Sequence, residues 1–209
     1  IADSSKTDSC VVTVKKQSGQ QEVIPGAEGK DLIDVAADVY ETVDEEGKTI
    51  VQIPDEIVEQ ITSVIANATE DEVPVIVIPV AKEKAPELPA AILEAAQEAG
   101  VSAVVVKTEA MDADTVPVTI TIPVTEDMDT SIPLKLGVSA TLGEKEGEIV
   151  KDNIPSDAKV LKLDLEHEGA FPVGEVILTL DVKKAGFMAG ELVYVYHVDS
   201  EQGTVKTLN

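Results

Sequence analysis

The sequence predicts an α+β fold, with two strand-helix-strand units in the N-terminal part and an antiparallel β-sandwich in the C-terminal part. Three observations lead to this prediction. Val and Ile are abundant, while aromatic residues make up only 2% of the chain, and this composition suits half-buried strands. A strand-proline-helix-strand pattern occurs twice before residue 112. After residue 124 the helical spacing stops, and short alternating segments separated by turn residues remain.

The repeated unit is the most informative pattern. Residues 49–53 are typical of a strand, Pro54 stands where a helix begins, and residues 73–80 form the next strand. The second unit has Pro89 at the start of a helix over residues 89–99, Gly100 at its end, and a strand over residues 101–107. The segment IPDEIVEQI at residues 53–61 aligns with LPAAILEAA at residues 88–96, with the proline and the apolar positions coinciding. We therefore expect the two units to pack together.

The segment before these units is less decisive. The first 30 residues are polar and contain one strand candidate, at residues 11–15. Residues 31–43 fit a helix face and a strand face equally well, so both interpretations stay open. We divide the chain into a polar N-terminal segment (residues 1–30), an α+β domain (31–115) and an all-β sandwich domain (116–209). The change from a mixed to a period-two pattern predicts separate cores on the two sides of residues 112–117.

The C-terminal part contains five predicted strands, at residues 132–142, 158–165, 175–182, 191–198 and 204–208. Gly-, Asn- and Asp-containing stretches separate them, including one at residues 143–147 that we interpret as a turn. The last two strands are expected to form a hairpin that turns at residues 199–203.

The charge of the chain excludes several classes of partner. The formal net charge is -24, from 40 acidic residues against 16 basic ones, and every basic residue is Lys. Without Arg the chain lacks the planar fork that binds phosphate and guanine, and its acidity repels nucleic acid. We expect no nucleic-acid partner and no membrane insertion. The expected partner is an unidentified surface or extracellular protein or a polysaccharide, with cations as small ligands.

Neither cysteine chemistry nor a catalytic motif is evident. Cys10 is the only cysteine, so no intrachain disulfide can form. The start of the chain at Ile1 is compatible with the removal of a signal peptide. Residues 100–104 and 137–141 begin as a G-x-S-x-G elbow would, but both lack the last glycine. Residues 26–31 have the wrong spacing for a phosphate-binding loop. We therefore expect no catalytic residue and no enzyme activity.

Two groups of residues are candidate metal ligands. Asp127, Asp129 and Ser131 have the oxygen spacing that opens a calcium loop, although Ile132 stands where that loop needs Gly. The alternative is a solvated acidic turn. His167 and His197 would form a transition-metal site with a neighbouring acid if their strands were adjacent. The alternative is two half-exposed strand histidines. Calcium is the one cofactor that we keep open.

The C-terminal quarter resembles a β-sandwich, Ig-like module of Gram-positive bacterial cell-surface proteins, of the S-layer-associated and adhesin-like kind. The resemblance depends on HEGAFP at residues 167–172, VILTLDV at 176–182, AGELVYVYH at 189–197, and Gly203 before a last strand. It implies an extracellular, cell-surface location and carries no catalytic residues. We expect a non-catalytic structural or adhesion module of a larger protein, acting as a spacer or presenting element. The alternative is a ligand-binding module that uses acidic loops for calcium or a cationic partner.

Overall fold

The computed structural model describes residues 23–43, 49–80, 86–111, 116–130, 134–139, 144–151, 154–155, 159–166, 176–181, 183, 186–188, 195–199 and 203–208. These ranges have mixed α and β structure, which confirms the predicted α+β content. The elements in chain order are β1 (Asp31–Ala36), β2 (Tyr40–Val43), β3 (Thr49–Gln52), α1 (Asp55–Ala66), β4 (Glu72–Val80), β5 (Pro86–Leu88), α2 (Ala90–Ala99), β6 (Ala103–Ala110), β7 (Val118–Pro123), β8 (Leu134–Ser139), α3 (Glu144–Val150), β9 (Lys162–Glu166), β10 (Ile177–Leu180), β11 (Val195–Asp199) and β12 (Thr204–Leu208).

The described strands form two five-stranded sheets and a separate hairpin. The first sheet has the order β1-β4-β6-β7-β10, and the second has the order β2-β3-β5-β8-β9. In the first sheet β1, β4 and β6 run parallel, while β7 is antiparallel to both of its neighbours. In the second sheet β3 and β5 are parallel and the other pairs are antiparallel. The chain passes repeatedly between the two sheets.

The two repeated units pack against each other element by element, which confirms the prediction. β3 pairs with β5, β4 pairs with β6, and α1 contacts α2. Pro54 and Pro89 are the N-cap residues of the two helices, with φ angles of -59° and -62°. Proline holds φ near this value and needs no hydrogen-bond acceptor, so a helix begins readily after it. The connections from β1 to β4 and from β4 to β6 step in the same direction across the first sheet. Because such connections are right-handed, both helices lie on the same face of this sheet.

The larger core lies between the helices and the first sheet. Most of its buried apolar residues come from α1, α2, β4, β6 and β7, and Leu88 of β5 and Ile53 just after β3 add to it. A smaller core lies on the opposite face of the first sheet, where residues 23–30 cover Val73, Val75 and Val105. The Thr121 hydroxyl donates to the Pro25 carbonyl at 2.8 Å. Next to it, a Cβ on Gly26 would lie 2.9 Å from Thr121 Cγ2, so only glycine fits there.

The predicted division at residues 112–117 into two separate cores is wrong. β7 pairs antiparallel with β6, which lies before the expected boundary. Val118, Ile120 and Ile122 belong to the same core as the residues of both helices. Their alternation with threonines predicts a strand with one apolar face, but it does not indicate which strand lies beside it. A domain that began at residue 116 would cut this sheet.

The strand pairing does not confirm the predicted C-terminal sandwich. β7 and β10 complete the first sheet, and β8 and β9 complete the second, so each sheet combines N-terminal and C-terminal strands. The resemblance was to a module that folds by itself, whereas β7 pairs with β6 and β8 pairs with β5, both from the repeated units. Among the described strands, β11 and β12 form a sheet that contains no strand of the repeated units. It confirms the predicted hairpin for residues 195–199 and 204–208, while residues 191–194 lie outside the described ranges.

For two further segments the structure decides between open interpretations or differs from the prediction. Residues 31–43 form two strands, β1 and β2, with a break at residues 37–39 where Ala37 is buried. α3 lies where a turn was predicted, at residues 143–147, and extends beyond it. It has seven residues and includes Gly147, so it is too short to display a helical stripe in the sequence. The predicted strand at residues 11–15 lies outside the described part of the chain.

Candidate functional site

The candidate calcium segment forms a turn that α2 holds in place. The turn follows β7, and Gln97 reaches it from the last turn of α2. The Gln97 side-chain amide donates to the backbone carbonyl oxygens of Thr125 at 2.9 Å, Glu126 at 3.2 Å and Met128 at 3.1 Å. Met128 is buried in the larger core. The turn at residues 125–128 is therefore fixed both by hydrogen bonds and by an apolar anchor.

This arrangement decides which oxygens of the turn face solvent. An amide carries two hydrogens, so three carbonyl acceptors share them, and these carbonyls are occupied while Gln97 is in place. The side chains of Asp127 and Asp129 are exposed, and Ser131 lies outside the described residues. The Thr125 hydroxyl is buried without a hydrogen-bond partner. A cation at this turn would have to be bound by exposed carboxylates, and few ligands of this kind imply weak binding.

β9, which ends just before His167, and β11, which contains His197, pair with different strands. His197 lies in β11, where it is opposite Lys206 of β12. His167 follows the end of β9 and lies outside the described ranges. β9 pairs with β8 in the second sheet, whereas β11 pairs with β12 in the hairpin. The transition-metal site of His167 and His197 stays a prediction, because His167 lies outside the described residues.

Buried polar groups in the described part of the chain are threonines. Thr108, Thr119 and Thr121 are the buried polar residues there. The Thr108 hydroxyl accepts from the Val118 N–H at 2.8 Å and donates to the Val118 carbonyl at 3.2 Å. Within the same ranges, no three His, Cys, Asp or Glu residues gather closely enough to hold a metal ion. The carboxylates whose burial is described are exposed or half-buried.

One carboxylate has a specific environment that the sequence reading missed. The Glu72 carboxylate accepts from the Thr69 N–H at 2.8 Å and from the Thr69 hydroxyl at 2.9 Å. These hydrogen bonds, the backbone one first, lower the pKa of Glu72 from its ordinary value of 4.5. The Thr-x-x-Glu spacing, which forms capping boxes at helix starts, could have revealed the contact. Here it closes the turn between α1 and β4.

The exposed face of α1 has a shallow acidic depression of about 600 Å³ that is open to solvent. It is lined by Glu56, Glu59, Gln60, Ser63 and Val64. All of them come from one helix, at the spacing of a single helical face. The depression is therefore the outer surface of α1, and among the described elements no other one lines it.

No known protein family, no curated protein and no solved structure matches this chain. Among the helices that the structure describes, none is long and apolar enough to cross a membrane. What the chain does therefore has to be inferred from its own side chains and their placement.

Proposed function

We propose that this chain is a non-catalytic, extracellular structural module of a larger bacterial surface protein, acting as a spacer or presenting element. One observation carries the proposal: in the described ranges the buried polar side chains are threonines. Thr108 and Thr121 bind the backbone through their hydroxyls. Active sites are typically built from buried titratable groups with strongly shifted pKa values. An interior of aliphatic residues and threonines suits a scaffold.

The surface charge supports the same proposal. A net charge of -24 keeps such modules soluble and apart from one another at high local density. The resemblance of residues 162–208 to Gram-positive surface modules supports an extracellular location. The expected partner is then a neighbouring surface protein or polysaccharide, reached through the larger protein of which this module is a part.

Location is tested by adding a protease to intact source cells. We expect the module to be cleaved from them while a cytoplasmic marker protein stays intact. Cleavage only after lysis would contradict the extracellular location. The spacer role is tested separately, by replacing the module in the full-length protein with an unrelated folded domain of similar size. Antibody access to the neighbouring region and binding of the full-length protein to its surface partners should both be unchanged if the module acts only as a spacer. Loss of that binding with unchanged antibody access would show that the module's own surface binds a partner.

A second candidate function, calcium binding, is favoured by one observation. Gln97 holds the turn at residues 125–128 in place, and the side chains of Asp127 and Asp129 are both exposed. A ligand that binds only the folded state raises the melting temperature by mass action. Sodium chloride alone should also raise it, because screening reduces repulsion between the carboxylates.

The calcium test therefore compares millimolar calcium chloride with sodium chloride at matched ionic strength. A calcium excess that disappears in Asp127→Ala, and persists in Glu59→Ala as a matched surface control, supports a binding module. An equal response to the two salts supports the plain spacer. If neither salt raises the melting temperature, charge repulsion does not limit stability, and the charge argument for the spacer is wrong.

A further inference from the structure

We propose that the free edge of β1 binds an extended strand of a partner protein, with a basic side chain of that strand opposite Asp34. β1 is the outermost strand of the first sheet, and among the described strands only β4 pairs with it. A strand at a sheet edge has one row of N–H and C=O groups without a partner, and an added strand binds by pairing with that row. The inference goes beyond the spacer role, and its test does not depend on where the module is located.

The hydrogen bonds between β1 and β4 decide which backbone groups of β1 face the free edge. The Asp31 N–H donates to the Asp71 carbonyl at 2.9 Å, and the Ala37 N–H donates to the Val77 carbonyl at 2.8 Å. Because hydrogen bonds in a parallel pair are evenly spaced, every second residue from Asp31 to Ala37 bonds toward β4. The residues between them direct their N–H and C=O groups to the free edge, and these are Leu32, Asp34 and Ala36.

The side chains at these three positions are exposed as well, with Leu32 at 39%. They lie on the face of the smaller core, since Leu32 is beside Val73 and Asp34 is beside Val75. On the other face of the strand Ile33 is half-buried. Asp34 is thus a carboxylate between two apolar side chains on the accessible face of the edge.

The charge of Asp34 determines the kind of strand that fits. A strand added antiparallel to β1 places one of its side chains directly opposite Asp34, on the same face. Opposite charges in such a pair are favourable, and like charges are unfavourable. The side chains two positions before and after it would lie opposite Leu32 and Ala36, where apolar residues fit. The partner is therefore an extended segment in which a basic residue stands between two apolar residues at every second position.

A second copy of this chain is a poor occupant of the same edge. In the antiparallel register that pairs all three free positions, Leu32 lies opposite Ala36 of the other copy, and Asp34 lies opposite its own equivalent. Two carboxylates would then be directly opposed. Each copy also has a net charge of -24, which adds repulsion at longer range. The edge therefore disfavours copies of itself and stays open to a basic strand.

The test measures the binding of two synthetic peptides to the 209-residue chain by NMR titration. The first peptide is Thr-Val-Thr-Lys-Thr-Val-Thr with blocked ends, and the second has Glu in place of Lys. We expect the Lys peptide to bind about three- to tenfold more tightly than the Glu peptide, with shifts in the amide signals of residues 32–36. In Asp34→Lys the preference should reverse. Glu59→Lys makes the same charge change on the exposed face of α1, so it serves as the matched control and should keep the original preference.

Amide hydrogen exchange of the chain without peptide provides a second measurement. The N–H groups of Leu32, Asp34 and Ala36 should exchange much faster than those of Ile33 and Val35, which bond toward β4. Slow exchange at all five positions would mean that the edge is already paired, and this overturns the proposal.

The remaining outcomes decide the role of the charge. Equal binding of the two peptides, or an unchanged preference in Asp34→Lys, overturns the selection by Asp34. If neither peptide binds, Asp34 only protects the edge from other strands, and the docking proposal is wrong. Self-association of the parent chain through β1 would assign the edge to a second copy and overturn the basic partner.

Discussion

The two repeated units have the same apolar pattern, but their helices are buried to different depths. Ile92 and Leu93 of α2 are fully buried, with no exposed surface, whereas the aligned residues Ile57 and Val58 of α1 are only half-buried. α2 packs on β6, the central strand of the first sheet, and α1 packs on β4, which has only β1 beyond it. Helices with the same apolar pattern are therefore buried to different extents, depending on whether they pack on a central strand or near the edge of the sheet.

α2 also has neighbours on more sides than α1 has. α2 lies between α1 on one side and the turn at residues 125–128 on the other, to which Gln97 binds. The residue aligned with Gln97 in the first unit is Thr62, whose hydroxyl only donates back to the Glu59 carbonyl of its own helix. The second helix is thus the centre of the described layer, and the first is its flank.

The largest expected effect is the loss of stability when a buried side chain of α2 is truncated, compared with the aligned side chain of α1. Ile92→Ala should lower the free energy of unfolding by about 2–5 kcal/mol, since it removes a fully buried side chain and leaves a cavity. Ile57→Ala should cost clearly less, roughly 1 kcal/mol, because part of its side chain already faces water. Urea unfolding of both variants measures the difference. Equal losses would mean that the two helices are equivalent and that the comparison fails.

The next effect concerns the contact that is present in only one unit. Gln97→Ala should cost about 1–3 kcal/mol, since the carbonyls of Thr125 and Met128 would lose their donor in a partly buried turn. The matched variant Thr62→Ala should stay within about 0.5 kcal/mol of the parent. Chemical denaturation of both variants measures these values. A Gln97→Ala protein as stable as the Thr62→Ala protein would show that the turn needs no anchor on α2.

A smaller effect separates the two helix ends. Gly100 ends α2 in the left-handed region at φ 70°, whereas Asn67 ends α1 at φ -100°. Gly100→Ala should cost about 1–2 kcal/mol from backbone strain alone, because no atom lies within 4 Å of the added Cβ. Asn67→Ala should cost less, since its backbone suits any residue. Thermal unfolding of the two variants provides the measurement, and a neutral Gly100→Ala would contradict the strain argument.

The smallest effect is the pH response of the turn after α1, which has no counterpart after α2. Hydrogen bonds from Thr69 lower the pKa of Glu72 in the folded state. A lowered folded-state pKa contributes stability above the unfolded value, and this contribution is lost as pH falls through the folded value. Melting temperatures of the parent and Glu72→Gln should therefore differ at neutral pH and converge below the ordinary value of 4.5. A difference that grows with acidification would contradict this sign.

The elements of the repeated units were predictable because their signals are local. Proline at the start, an apolar stripe at helical spacing and Gly100 at the end act within a few residues of one another. The β11–β12 hairpin was predictable for the same reason. α3 was not, because seven residues around Gly147 carry too little periodicity.

The candidate site was predictable only in outline. The acidic turn at Asp127 was found from its spacing, but the Gln97 contact was missed since it joins residues 28–31 positions apart. Hydrogen bonds at such separations have no local signature. The Thr69–Glu72 contact spans three residues, and its spacing was there to be recognised.

The sequence by itself determined which residues face the interior, since alternation in strands and helical spacing in α1 and α2 specify the buried side of each element. It also determined that the two units would pack side by side, because their apolar positions match. Only the tertiary structure decided that β7 and β10 would complete the first sheet instead of a sandwich of their own. Periodicity orients a strand's faces, but the neighbour along its edge is chosen by register and by the fit of distant segments.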